Sequence, residues 1–204
     1  MVRAVLPLSV PLCVALAGHI PVMASQSIES ATPRARAQDE QDIERLRQAA
    51  EQGLADAQNA LGVRYDDGIG VAQDSAQARE WFRKAADQGH AAAQNNLAFM
   101  YEIGRGGPLD YDAALKWYRL AAEGGWPAAQ ASLGLMYAGA VGVTRDLVEA
   151  YKWVDIAALR ASGEEQKKYT DLRDALTSRL TPNEMVEARR RSQEWRQAFA
   201  RRPR

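Results

Sequence analysis

The chain has one cysteine and two histidines, and its acidic and basic side chains balance to a formal net charge of zero. Each shortage excludes something. Cys13 alone allows no internal disulfide and no cysteine metal cluster. His19 and His90 are too few for a Ser-His-Asp or Cys-His set, because His19 falls in a leader that is expected to be removed. The neutral balance argues against nucleic acid or an acidic membrane surface as a partner. Runs of β-branched residues are scarce, while alanine, leucine and long charged residues dominate, so the class is all-α. Long apolar runs are also missing, with one exception from Ala4 to Gly18.

That exception reads as part of a secretory signal peptide over residues 1–24. Arg3 precedes the apolar run, and Val22-Met23-Ala24 supplies a small-residue junction. Its 15 apolar residues fall short of the ~20 needed to span a bilayer, and Pro7 and Pro11 weaken a helix there. Cleavage after Ala24 would remove Cys13 and leave no thiol, which suits export to an oxidising compartment, the periplasm. No stable membrane span is expected afterwards. Residues 25–38, rich in Ser, Thr, Pro and Arg without periodicity, are assigned to a flexible linker.

From Ala57 the chain repeats itself every 36 residues. Ala57-Gln58 returns as Ala93-Gln94 and Ala129-Gln130, and Gly70 as Gly106 and Gly142. Leu61, Tyr65 and Trp81 return as Leu97, Tyr101 and Trp117, then as Leu133, Tyr137 and Trp153. These nine residues are the predicted repeat core. A fixed period of this length predicts an all-α, α/α superhelical solenoid of helix-turn-helix repeats with helical caps. Three repeats are placed at about 54–89, 90–125 and 126–161, after a capping helix at 39–53. Each holds a helix A, a glycine turn and a helix B, with Asp74, Asp110 and Asp146 placed as N-caps. Asp146 and Glu149 have capping-box spacing. In the third turn Ala140 stands where glycine is expected, and Gly139 suggests a shifted turn.

Residues 162–204 lose the period and are read as C-terminal capping helices. The first covers Glu164–Leu180. The second starts at Thr181-Pro182-Asn183-Glu184, which has the pattern of a capped helix start, and buries Met185, Ala188, Trp195 and Phe199. Its outer side carries Arg189, Arg190, Arg191, Arg196, Arg201, Arg202 and Arg204, read as a solvated face or a contact for an anionic surface.

The unit Gln58, Leu61-Gly62, Tyr65, Gly68, Gly70-Val71, Asp74, Ala78, Trp81, Ala85-Ala86, Gly89 resembles the Sel1-like repeat, a relative of the tetratricopeptide repeat. The second copy departs from it at Ala98 and Gly107. The resemblance implies an adaptor that holds a protein or peptide. A cysteine-rich branch resembling these repeats hydrolyses β-lactams slowly, but it carries a disulfide in every repeat, which this chain lacks.

The residues opposite the packing stripe of helix A are candidates to line a concave face: Asn59, Val63 and Asp66, then Asn95, Phe99 and Glu102, then Ala131, Leu135 and Ala138. Asn59, Val63, Asn95, Phe99 and Leu135 are the predicted partner-binding residues, with asparagines for a peptide backbone and apolar groups for side chains. No catalytic residue, metal ligand or cofactor is predicted. Asp66-Asp67 and Glu164-Glu165 are read as capping and solvated pairs, and Gly104-Arg105-Gly106-Gly107 follows a helix, unlike a phosphate loop. The expected function is an exported, non-catalytic scaffold for a protein or peptide. An envelope hydrolase of β-lactam or cell-wall type and a membrane-tethered spacer are the rival readings.

Overall fold

The computed structural model describes residues 33–202, so the predicted leader at 1–24 lies outside the described residues. The described helices are α1 (Pro33–Glu51), α2 (Ala55–Asp67), α3 (Ser75–Asp87), α4 (Ala91–Ile103), α5 (Tyr111–Glu123), α6 (Pro127–Gly139), α7 (Leu147–Arg160), α8 (Gly163–Thr177) and α9 (Pro182–Ala200). No strand occurs among the described residues, and no helix there is long and apolar enough to cross a membrane. The chain divides into two compact units, with the boundary after Ala121, inside α5.

In the N-terminal unit α1 begins at Pro33, six residues inside the stretch assigned to a linker. The proline suits a first helical turn, and the Ala-Arg-Ala-Gln that follows favours helix. Helix α1 takes the place of a helix B without its own helix A. Its Ala50 carbonyl accepts a hydrogen bond from Gln58 Nε2 of α2 at 3.0 Å. One period later Gln94 Nε2 donates to the Ala86 carbonyl at 3.1 Å. Within a repeat the connection from A to B is closed by backbone bonds, Asp74 N to the Tyr65 carbonyl at 2.8 Å and Asp110 N to that of Tyr101 at 2.9 Å.

Packing between the helices matches small residues to large ones. A Cβ on Gly62 would come within 2.7 Å of the Phe82 ring, so α2 and α3 approach only because that side chain is absent. Leu61 and Leu97 are wholly buried, and Tyr101 and Trp117 nearly so. Tyr65 and Trp81 are half-buried, and Lys84 covers the Trp81 ring at 3.7 Å. The deepest aromatic positions of this unit are Phe82 and Tyr118, each one residue beyond the recurring tryptophan.

The C-terminal unit repeats these devices. Gln130 Nε2 donates to the Ala122 carbonyl at 3.0 Å, and Asp146 N to the Tyr137 carbonyl at 3.1 Å. Leu133 and Trp153 are buried and Tyr137 is half-buried. Gly134 lies against Val154, which holds the position of Phe82 and Tyr118. Asp146 caps α7 through Glu149 N at 2.9 Å, but Glu149 does not complete a capping box. Its carboxylate pairs instead with Lys152 and with Arg191 of α9, each at 2.9 Å. Burial pushes the Glu149 carboxyl up, and the hydrogen bonds from Lys152 and Arg191 outweigh that and hold it below its usual range.

Helices α8 and α9 close this unit. Thr181 and Glu184 form a complete capping box at the start of α9. Tyr169, Leu176 and Ala188 are buried, and the Ser192 hydroxyl donates to Asp155 at 2.6 Å. Trp195 meets Trp153 edge-on at 5.7 Å and stacks on Phe199 at 4.8 Å. The Phe199 ring covers Gly125, where a Cβ would lie 2.6 Å from it. Part of the arginine-rich face is therefore structural. Arg190 and Arg191 pair with Glu187, and Arg202 donates to the Glu123 carbonyl. Arg189, Arg196 and Arg201 are exposed.

The third turn corrects the sequence reading. Gly139 remains helical and Ala140 itself takes the left-handed conformation, with φ 58°. The equivalent residues Gly68 and Gly104 have φ 70° and 68°. A side chain in that region costs about 1 kcal/mol. Ala140→Gly is expected to stabilise the chain by about that much, read as a rise in the urea midpoint, and a fall would contradict the strain.

Candidate partner-binding site

Helices α2 and α4 present a matched, half-exposed strip in the N-terminal unit. On α2 it runs through Asn59 and Val63, and on α4 through Asn95, Asn96 and Phe99. Each helix is fixed from behind by its buried glutamine, so the strip stands on two anchored elements. Asn96 Nδ2 donates to Asn59 Oδ1 at 3.2 Å, linking the polar ends of the two helices. Val63 and Phe99 follow one turn later and give the strip an apolar end.

The predicted site residues therefore fare differently. Asn59, Val63, Asn95 and Phe99 are all half-buried, and the hydrogen bond between Asn59 and Asn96 brings the two helices' polar positions together. Asn95 turns its Oδ1 inward, where it is buried and lacks a partner among the described residues. Leu135 lies in the C-terminal unit with only 8 % of its surface exposed. Asn96 was missed, because neither neighbouring repeat carries asparagine at that position: they hold Ala60 and Ser132.

Three other residues expected to face outward are inside. Ala131 is packed against Ala157 and Ala158. Asp66 is buried and pairs with Arg105 at 2.8 Å, with the Ser75 hydroxyl donating to it at 3.3 Å. Glu102 is buried and accepts from the Tyr118 hydroxyl at 2.8 Å. Asp66 and Glu102 each lie one residue before the end of a helix A, where they meet groups from later elements rather than solvent. Burial pushes the Glu102 carboxyl above its usual range, against the lowering effect of the Tyr118 bond.

His90 is likewise structural. Its Nδ1 accepts from Ala93 N at 3.1 Å and so caps α4, which places the ring proton on Nε2, 3.0 Å from Asp56 Oδ1. A shallow cleft of about 510 Å³ between α1 and the α2–α3 turn is lined by Ile43, Arg47, Tyr65 and Val71. Its arginine is already held by Glu44 at 2.9 Å. No group of three or more His, Cys, Asp or Glu among the described residues is placed to hold a metal ion.

The Sel1 repeat family model matches residues 55–90, 91–126 and 127–162, together more than half of the chain. The chain belongs to the Sel1 repeat family. A Sel1 repeat protein from Oxalobacter formigenes superposes with a TM-score of 0.59 at 38% identity, over 65% of this chain and 54% of that one. A protective antigen of uropathogenic Escherichia coli strains, also of SLR fold, gives 0.58 at 32% identity, over 78% of this chain and 42% of that one. The chain thus spans about half the length of these solved relatives. No match was found among curated proteins. The fold is the all-α repeat solenoid of Sel1 proteins, which serve generally as protein-interaction scaffolds.

In this Sel1 repeat chain the buried Glu102 gives a pH signature. A carboxyl whose folded pKa is raised contributes stability that is complete below its unfolded pKa and lost as pH rises through the folded one. Glu102→Gln keeps an acceptor for Tyr118 and removes the charge. Urea unfolding at about pH 5 and about pH 8 is expected to show a smaller loss of stability toward high pH in the variant than in the wild type. Equal losses would contradict the assignment.

Proposed function

We propose that the protein is an exported, non-catalytic adaptor that holds a protein or peptide partner against the strip on α2 and α4. The observation that carries this reading is the pairing of Val63 and Phe99 at one register on two anchored helices, beside the Asn59–Asn96 bond. A partner segment would set an apolar side chain between Val63 and Phe99 and bond its backbone to the asparagine amides. Leu135, being buried, would add least. Family membership supports a protein partner, and the neutral overall charge supports the exclusion of nucleic acid.

The non-catalytic reading is supported by the state of His90, whose two ring nitrogens are both engaged in structure. Export, with the periplasm as the site of action, rests on the sequence pattern of residues 1–24. The test is in-cell crosslinking of tagged protein from the envelope fraction, read by mass spectrometry, for wild type and Phe99→Glu. The variant is expected to fold, with an unchanged circular dichroism melt, and to lose crosslinked partners that the wild type captures through α4. Capture undiminished in Phe99→Glu would overturn the strip as the binding face. A mature chain that retains residues 1–24 would favour the tethered spacer.

A further inference from the structure

Arg79 and Gly107 break the 36-residue register together. One period earlier the same positions hold Ile43 and Val71, and one period later Leu115 and Val143. Beside the first turn Ile43 and Val71 line one cleft. In the second the Arg79 guanidinium lies over Gly107, where any Cβ would collide with Nη1. An apolar pair has thus been replaced by a cation and the glycine that makes room for it.

The cation is placed with care. Arg79 Cζ lies 3.7 Å from the centre of the Tyr101 ring, and Nη1 reaches the Pro108 carbonyl at 3.4 Å. Arg83, one turn further along α3, hydrogen-bonds the Tyr101 hydroxyl and lies 5.6 Å from the same ring and 6.0 Å from that of Trp117. Two guanidinium groups therefore share one nearly buried tyrosine. Neither has a carboxylate within ion-pair distance among the described residues. Asp110, the nearest acid to act on Arg79, is occupied as the cap of α5 through Ala113 N at 2.9 Å.

Arg160 is held as Arg79 is, by a ring (Phe199) and a backbone carbonyl, but other arginines hold carboxylates. Arg47, one period before Arg83, holds Glu44 at 2.9 Å, and Arg105 holds Asp66 at 2.8 Å. Burial pushes the Arg79 guanidinium below its ordinary pKa and outweighs the raising effect of the Asp110 charge. Arg83 is exposed and Arg79 half-exposed, so an incoming group can reach both. Their planar donor forks suit a carboxylate, and the ring beneath holds them in place.

We propose that Arg79 and Arg83 form a carboxylate-recognition site that docks an acidic segment of a protein partner. Tyr101 positions both guanidinium groups, and Gly107 admits Arg79. The site does not depend on the α2/α4 strip, so Phe99→Glu is expected to leave it working.

The probe is a fluorescein-labelled hexaglutamate peptide, titrated with the full chain at low ionic strength and read by anisotropy. The informative variant is Arg79→Ile with Gly107→Val, which restores the apolar pair found beside the first turn. Gly107 lies outside the left-handed region, so valine is allowed there. The double variant is expected to melt no lower than wild type and to bind the peptide about tenfold more weakly. Arg189→Gln, which removes one exposed charge from α9, is expected to leave binding unchanged. Undiminished binding by the double variant, or an equal loss in Arg189→Gln, would overturn the site. Displacement of the peptide by inorganic phosphate as readily as by unlabelled hexaglutamate would overturn its assignment to carboxylates.

Discussion

A single side-chain hydrogen bond sets the spacing of this molecule. Near the end of each preceding helix an alanine carbonyl accepts the N–H of the glycine three residues on, and its second lone pair stays open to a side-chain donor. Here Gln58, Gln94 and Gln130 each reach back eight residues, from the first turn of a helix A to an alanine carbonyl near the end of the preceding helix B. The bond fixes how one helix leaves another, and it recurs in both compact units. The alanine before each glutamine is buried against the helix it clamps, so a larger side chain there would push the amide out of reach. The Ala-Gln pair and the unslipped period of 36 residues follow from that geometry.

Around this clamp the repeats vary where variation is cheap. The helix B residue packed on the helix A glycine differs between copies: Phe82 lies on Gly62 and Val154 on Gly134. The turns vary more. Ala140 accepts a backbone conformation that glycine holds in the other two copies, and Gly107 stands in place of a valine where Arg79 lies over Tyr101. A repeat protein gains individuality at such places, because the clamp and the caps have already fixed the frame.

Much of the fold was legible because its determinants are local or periodic. The caps at Asp74, Asp110, Asp146 and Thr181 act within three residues of themselves, so a short reading frame suffices to find them. What escaped the sequence depends on distant elements. Asp66 and Glu102 look like exposed acids on a helix wheel, yet Arg105 and Tyr118 come from later segments to cover them. Phe82, Tyr118 and Val154 are buried at the same position of successive B helices but differ in type, so a search for recurring letters passes over them. The strip on α2 and α4 was half legible: Val63 and Phe99 follow from register, whereas the bond between Asn59 and Asn96 needs two helices in place.

The glutamine clamp can be tested at Gln94, which is buried and has its bond to Ala86 in the middle of the repeats. Gln94→Met keeps the volume and removes the donor. Urea unfolding of the full chain is the measurement. A loss of about 1 kcal/mol is the predicted result, because the side-chain bond is removed while the Ala86 carbonyl keeps its bond from Gly89 N. A change smaller than about 0.5 kcal/mol, the size of an ordinary surface substitution, would contradict the claim that this bond sets the repeat.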